Sequence, residues 1–224
     1  MKDCYREQKA LIKRLHFDTK IDHIPVTGRS LNYYLKSIFV DFKNKNDLIK
    51  YLKGKKFVDI GSGINHIYDK ALLYKLIHKK YKAYGLDIAK VDKNKHYLQK
   101  SIFTTKIPRN SCDMLAINNL LYFHLHKTSQ IKRALKEMHR ILKKDGELRI
   151  FPIFYGNYYL GDEDLKEFIN KLFFIRILSP KNLRNEIPIF LIDNEVVKGD
   201  KQVGIGECKI MERLDSKTVI FKKY

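Results

Sequence analysis

Asp59, Gly61, Ser62 and Gly63 fall in the run Phe57-Val58-Asp59-Ile60-Gly61-Ser62-Gly63-Ile64-Asn65, and Asp87 in Gly85-Leu86-Asp87-Ile88. These are the residues whose types and spacing could do chemistry. An apolar run meets a glycine-rich turn, and a second apolar run ends in another acid. Glycine adopts dihedrals that other residues avoid and leaves no side chain between backbone and ligand. A strand that stops at such a turn brings the start of the following helix beside a bound nucleotide. A carboxylate at Asp87 is placed to accept hydrogen bonds from ribose hydroxyls. The pattern predicts a pocket for an adenosine-containing cofactor.

Such a pocket needs parallel strands with helices between them. Lys56–Ile60 reads as the first core strand and Tyr84–Asp87 as the second. Between them, residues 67–80 carry Ile67, Leu72, Leu73, Leu76 and Ile77 at helical spacing. Residues 111–117 give a third strand. Thr128–Leu142 is a helix with Ile131, Leu135, Met138 and Leu142 on one face. It stops at Lys143-Lys144-Asp145-Gly146, where Gly146 suits a left-handed C-cap. Glu147–Phe154 is another apolar strand and residues 163–174 another helix. Glu207–Leu214 and Thr218–Lys222, around Asp215-Ser216-Lys217, read as a β-hairpin. Upstream, residues 3–22 suggest an amphipathic helix, broken at Ile24-Pro25-Val26-Thr27-Gly28, with further helices at 30–40 and 46–53. The alternation of strand and helix predicts a parallel sheet covered on both faces, with an antiparallel edge from the hairpin.

Composition narrows the class. The chain has 224 residues, of which 44% are apolar, enough for one domain with a full core. No run approaches the roughly 18 apolar residues of a membrane span, so no membrane association is expected. Cys4, Cys112 and Cys208 are scattered, with neither a disulfide framework nor a metal spacing. They suit a reducing cytoplasm. The formal net charge is +20. It is concentrated in residues 1–56 and 75–109, whereas residues 151–224 are nearly neutral. A polarised basic surface steers anions and is one mark of nucleic-acid binding.

With the hairpin included, the ordered segments resemble the class I S-adenosylmethionine-dependent methyltransferases. Residues 50–155 carry most of the resemblance and 206–224 the rest. Val58-Asp59-Ile60-Gly61-Ser62-Gly63 is similar to the family's first motif, and Gly85-Leu86-Asp87-Ile88 to its second. Ile107-Pro108-Arg109-Asn110-Ser111-Cys112-Asp113-Met114-Leu115 is similar to the entry into the fourth strand. Asn118-Asn119-Leu120-Leu121-Tyr122-Phe123-His124 falls where the family lines the methyl-donor side. Arg140 to Leu148 is similar to the helix-to-strand signature after it. The resemblance implies a Rossmann-like, doubly wound, mostly parallel seven-stranded sheet with a C-terminal antiparallel β-hairpin. It implies a single domain: a helical cap over 1–53, a cofactor-binding core over 54–155, and a C-terminal helix, insertion and hairpin over 156–224. It implies S-adenosylmethionine as cofactor, held by Asp59, Gly61, Ser62, Gly63, Asp87, Ile88, Ser101, Ile102 and Asn118.

The sequence departs from the family at several points. Asn65 replaces a frequent third glycine. Ser101 stands where members often place an acid for the adenine amine. Asp145-Gly146 replaces a common double glycine, and no Asn/Asp-Pro-Pro-aromatic tetrad is present. His124 and His126 are too few to make a metal site. No residue is assigned as a general base, and His124 is the least poor candidate. The basic charge favours RNA or another anionic acceptor over a small metabolite. Two rivals stand beside a methyltransferase. A nicotinamide-dependent dehydrogenase would want glycine at His66. A non-catalytic RNA-binding or partner subunit could use the same fold.

Overall fold

The computed structural model describes residues 31–62, 72–88, 95–118, 125, 127–154, 162–179 and 216–224. The helices there are α1 (Leu31–Ser37), α2 (Lys45–Leu52), α3 (Leu72–His78), α4 (Thr128–Ile141) and α5 (Glu163–Asn170). The strands are β1 (Phe57–Ile60), β2 (Ala83–Asp87), β3 (Tyr97–Gln99), β4 (Cys112–Asn118), β5 (Leu142–Phe154), β6 (Phe173–Leu178) and β7 (Ser216–Lys223). All seven strands form one sheet in the order β3-β2-β1-β4-β5-β7-β6. β1 to β5 pair in parallel, and β7 runs antiparallel to both β5 and β6. This is the mostly parallel, doubly wound sheet with an antiparallel C-terminal pair that the sequence pattern predicts.

Both faces of the sheet are covered, which is why β1 is buried along its whole length and reads as a continuous apolar run. One core packs Leu135, Met138 and Leu165 from α4 and α5 against Leu115, Ile117 and Leu148. The other packs Tyr34, Leu48 and Leu72 from α1, α2 and α3 against Phe57, Met114, Ala116 and Phe151.

The α1 face is pinned by a buried cation. Arg149 on β5 is 2% exposed. It donates to Asp41 at 2.6 and 3.1 Å and to Glu147 at 3.0 and 2.9 Å. Its guanidinium also lies 5.2 Å from the Phe39 ring centre and 5.3 Å from that of Phe42. The segment after α1 is thereby tied to the sheet, and Thr218 Oγ1 adds a bond to the Ser37 carbonyl. On the other face Glu137 accepts from Thr105 N at 3.0 Å, Thr105 Oγ1 at 2.6 Å and Arg140 Nε at 2.7 Å. These bonds hold the loop after β3 against α4.

Two local expectations change, and two others are not tested. The helix begun at Glu163 ends at Asn170 rather than continuing to 174. Phe173–Leu178, rich in β-branched and aromatic residues, leaves it to become the strand that pairs with β7. Residues 207–214, expected as the partner arm of the terminal hairpin, lie outside the described residues, as does the amphipathic segment 3–22. The left-handed residue between α4 and the apolar part of β5 is Asp145, at φ 61°, and Gly146 is not left-handed. Gly146 is needed for space instead. A Cβ there would lie 2.9 Å from the Lys143 carbonyl oxygen and 3.2 Å from that of Asp113.

Removing Arg149 leaves Asp41 and Glu147 without their cation, so Arg149→Ala should cost about 3–5 kcal/mol in urea unfolding. Arg149→Met should cost less, because the methionine keeps the apolar packing of the arginine stem. Burial pushes the Glu137 carboxyl up, but the bonds from Arg140 and Thr105 outweigh burial and hold it below the usual range. A depressed carboxylate stabilises the fold above its unfolded pKa of about 4.3 and loses that contribution as pH falls through the folded value. Unfolding free energy should therefore fall more steeply below about pH 4 in the native protein than in Glu137→Gln.

Candidate active site

The register of the parallel strands brings the sequence-predicted residues to one end of the sheet. Ile60 is level with Leu86 on β2 and with Ile117 on β4, and Asp87 is level with Gln99 on β3. The next position along each strand therefore aligns Gly61, Asp87 and Asn118. Strand order reverses between β1 and β4, the switch point at which open α/β sheets bind ligands.

At Gly61 the backbone turns left-handed, with φ 71°. Its N–H donates to the Leu86 carbonyl at 2.7 Å, and Ser62 N donates to the same oxygen at 3.3 Å. The chain is thus folded back over β2 as it leaves β1. A residue with a Cβ pays a steric cost in this region, so the turn requires its glycine. Ser62 is buried. A Cβ on Gly85 would lie 2.6 Å from Ser62 Oγ and 2.8 Å from Leu73 Cδ2. The Ser62 side chain occupies the space that Gly85 leaves.

Side chains alternate along strands. Phe57, Ala83, Met114 and Ala116 all belong to the α1–α3 core. By parity, Asp59, Asp87 and Asn118 lie on that same face. Asp59 is 1% exposed, and its Oδ2 accepts the Tyr34 hydroxyl at 2.6 Å. It fastens α1 to β1 directly below the Gly61 turn. Asp87 is partly exposed at the end of β2. Its carbonyl accepts Lys100 N at 2.9 Å, fixing the start of the loop after β3. Burial and the Asp87 charge push the Tyr97 phenol well above its usual pKa. Tyr97 therefore stays protonated beside the Asp87 carboxylate.

Asn118 is 8% exposed, yet neither its Oδ1 nor its Nδ2 has a hydrogen-bond partner among the described residues. Each orphaned buried group costs about 1–3 kcal/mol. An amide left in that state at a strand end, level with Gly61 and Asp87, is suited to a ligand that supplies the missing bonds.

Other predicted residues stand differently. Ser101 is half-buried and its Oγ accepts Phe103 N at 3.2 Å, closing a turn. Ile102 is 8% exposed and packs into the α4–α5 core. Ile88 is 43% exposed beyond β2. Gly63, Asn119, Tyr122 and His124 lie outside the described residues. No group of three potential metal ligands occurs among the described residues. No helix there is long and apolar enough to cross a membrane. Sequence reasoning missed Tyr34 and Tyr97. Both reach the site only through tertiary packing, and β3 is too short and polar to signal itself.

Residues 58–150, which contain this whole strand-end array, match the model of the family described as the methyltransferase domain. By this match residues 58–150 are a methyltransferase domain. S-adenosylmethionine is the methyl donor that the sequence resemblance implies for it. Among solved structures, the chain is similar to a SAM-dependent methyltransferase from Archaeoglobus fulgidus: 17% identity, 80% of this chain and 90% of that one covered, TM-score 0.49. It is also similar to the YcgJ protein of Bacillus subtilis (14%, 79% and 96%, 0.48). A third is an S-adenosylmethionine-dependent methyltransferase from Mesorhizobium loti (13%, 79% and 96%, 0.45). Likenesses this distant add no functional argument to the family match. No curated protein matches the chain.

The described residues of the methyltransferase core fit its cofactor. A side-chain-free turn, a carboxylate and a buried amide without partners meet at the switch point, and all are groups that recognise a nucleoside amino acid. Gly85→Ala tests how tightly this array is packed. The added methyl must displace Ser62 and Leu73, so thermal or urea unfolding should report a loss of about 1–3 kcal/mol. Affinity for S-adenosylhomocysteine should fall with it, because Ser62 adjoins the Gly61 turn.

Proposed function

We propose that this methyltransferase binds S-adenosylmethionine across the ends of β1, β2 and β4 and passes its methyl group to RNA or another anionic acceptor. The observation that carries the cofactor reading is the alignment of Gly61, Asp87 and the partnerless Asn118 amide. In this reading the turn at Gly61 lets the cofactor lie against the main chain. Asp59 holds the turn through Tyr34. Asp87 takes the ribose hydroxyls, with the protonated Tyr97 phenol beside it. Ser101 and Ile102 flank the adenine, and Ile88 covers the ribose side. Asn118 gains at least one of its missing bonds from the methionine end of the cofactor or from the acceptor.

The cofactor supplies a methyl already activated by its sulfonium. The protein's part is to align an acceptor with it and to keep water out. The turn, the two carboxylates and the amide are fixed by strand register, so the approach of an acceptor is set before it arrives. An acceptor that must lose a proton would also need a base, and no described side chain is assigned that role.

RNA is favoured by the net charge of +20 and its concentration in residues 1–56 and 75–109. A small metabolite is the second reading. It is favoured by the described strand ends themselves, which present Asp59 and Asp87 rather than a cluster of cations. Transfer of tritium from labelled S-adenosylmethionine to RNA, but not to a metabolite extract, supports the first reading. The reverse supports the second.

Two substitutions test the cofactor site by calorimetry with S-adenosylhomocysteine. Asp87→Ala should weaken binding by about 1–3 kcal/mol, and an unchanged dissociation constant would remove Asp87 from the site. Asn118→Leu should move two readouts in opposite directions. Replacing an orphaned amide with an apolar group of similar size should leave the ligand-free protein equally stable or more stable. It should weaken ligand binding at the same time. A destabilised ligand-free protein with unchanged affinity would show that the amide serves the fold instead.

A further inference from the structure

We propose that the opposite edge of the sheet, where the parallel strands begin, is a binding track for single-stranded nucleic acid. The inference deepens the RNA reading given above, but it rests on different residues and is tested apart from it.

A row of exposed cations lines this edge. Lys53 precedes β1, Lys79 and Lys82 precede β2, Lys106 and Arg109 precede β4, and Lys144 lies in the irregular start of β5. All are exposed, and none has an ion-pair partner among the described residues. Several cations elsewhere are engaged, although Lys43, Lys45, Lys50, Lys100 and Lys127 are exposed without an ion pair among the described residues. Lys132 pairs with Asp164, Arg140 with Glu137 and Lys171 with Glu167. Arg133 lies 5.0 Å from the Phe103 ring centre. The acids described at this edge are paired, Asp145 with Lys222 at 3.1 Å and Asp113 with Lys143 at 2.7 Å. What distinguishes this edge is spacing: its exposed cations stand on or just before neighbouring strands about 4.8 Å apart.

A second observation names the polyanion. β7 ends and β6 begins at this same edge. There Phe174 and Tyr224, 59% and 47% exposed, lie with ring centres 4.2 Å apart. A row of cations leading to exposed aromatic rings is how proteins hold a single strand: phosphates along the row, bases on the rings. Duplex nucleic acid hides its base faces and would leave the rings unused.

Lys80 adds a third. It ends α3 at φ 61°. Its N–H donates to Ile77 O at 2.8 Å, and Tyr81 N donates to Leu76 O at 3.0 Å. That is the helix-ending motif in which glycine is usual. A lysine kept there sets a charge on the edge at the expense of backbone ease, the kind of strain that accompanies function.

The test is fluorescence anisotropy with a labelled oligouridine, run beside calorimetry with S-adenosylhomocysteine. Binding should weaken with salt at a log–log slope of about −0.7 per phosphate contact. The triple variant Lys53→Ala/Lys82→Ala/Lys144→Ala should flatten that slope by about 2. Phe174→Ala should weaken binding at least about fivefold with little change of slope. Lys80→Gly should raise the melting temperature by about 2–4 °C and still weaken binding. In all these variants the affinity for S-adenosylhomocysteine should stay at its native value. Oligouridine binding without uptake of S-adenosylhomocysteine would keep the track and sink the cofactor reading. Absence of oligouridine binding at low salt would overturn the proposal. So would an unchanged slope in the triple variant, or tighter binding to a duplex or to phosphatidylserine vesicles.

Discussion

The site depends on one backbone event, the capture of the Gly61 N–H by the Leu86 carbonyl at 2.7 Å while Gly61 holds a left-handed φ of 71°. Parallel pairing of β1 with β2 and β4 brings three strand ends level. The bond at Gly61 then turns the chain across β2 instead of letting β1 run on. Without that turn the carboxylate at Asp87 and the amide at Asn118 would end their strands with nothing between them. With it, they flank a stretch of bare backbone. Gly85 belongs to the same constraint, since its missing side chain is the space into which Ser62 packs.

The surrounding structure keeps this arrangement rigid. Asp59 ties α1 to β1 through Tyr34, and Arg149 ties the segment after α1 to β5 through Asp41. Both are buried polar groups whose charge or hydrogen-bonding capacity is met by named partners, so they stiffen the fold. Asn118 is the contrast. It is also buried but has no partner among the described residues, and the fold carries its desolvation cost uncompensated. In a domain stabilised by only about 5–15 kcal/mol, that cost is explicable where a ligand repays it.

Much of this was legible in the sequence because the signals are local. The runs around Asp59 and Asp87 and the helical stripe of Thr128–Leu142 each announce an element, and their order announces a doubly wound sheet. What could not be read depends on contacts far apart in the chain. β3 has three residues and little apolar character, so only its pairing with β2 defines it. Phe173–Leu178 follows a helical stripe directly, and its strand state comes from pairing with residues 218–223 of β7, far along the chain. The left-handed position falls at Asp145, while Gly146 is required by crowding from the Lys143 and Asp113 carbonyls, and no spacing rule reveals either. In the site, the turn and the acids were visible as motifs. The engagement of Ser101 in its own turn, the core packing of Ile102 and the closeness of Tyr97 to Asp87 required the packed structure.

Hydrogen–deuterium exchange with and without S-adenosylhomocysteine addresses the central claim most directly. A ligand lying across the aligned strand ends should protect amides at 60–62, 87–88 and 118 while leaving those at 79–82 and 143–146 unchanged. Protection confined to other segments, or none at saturating ligand, would contradict the account.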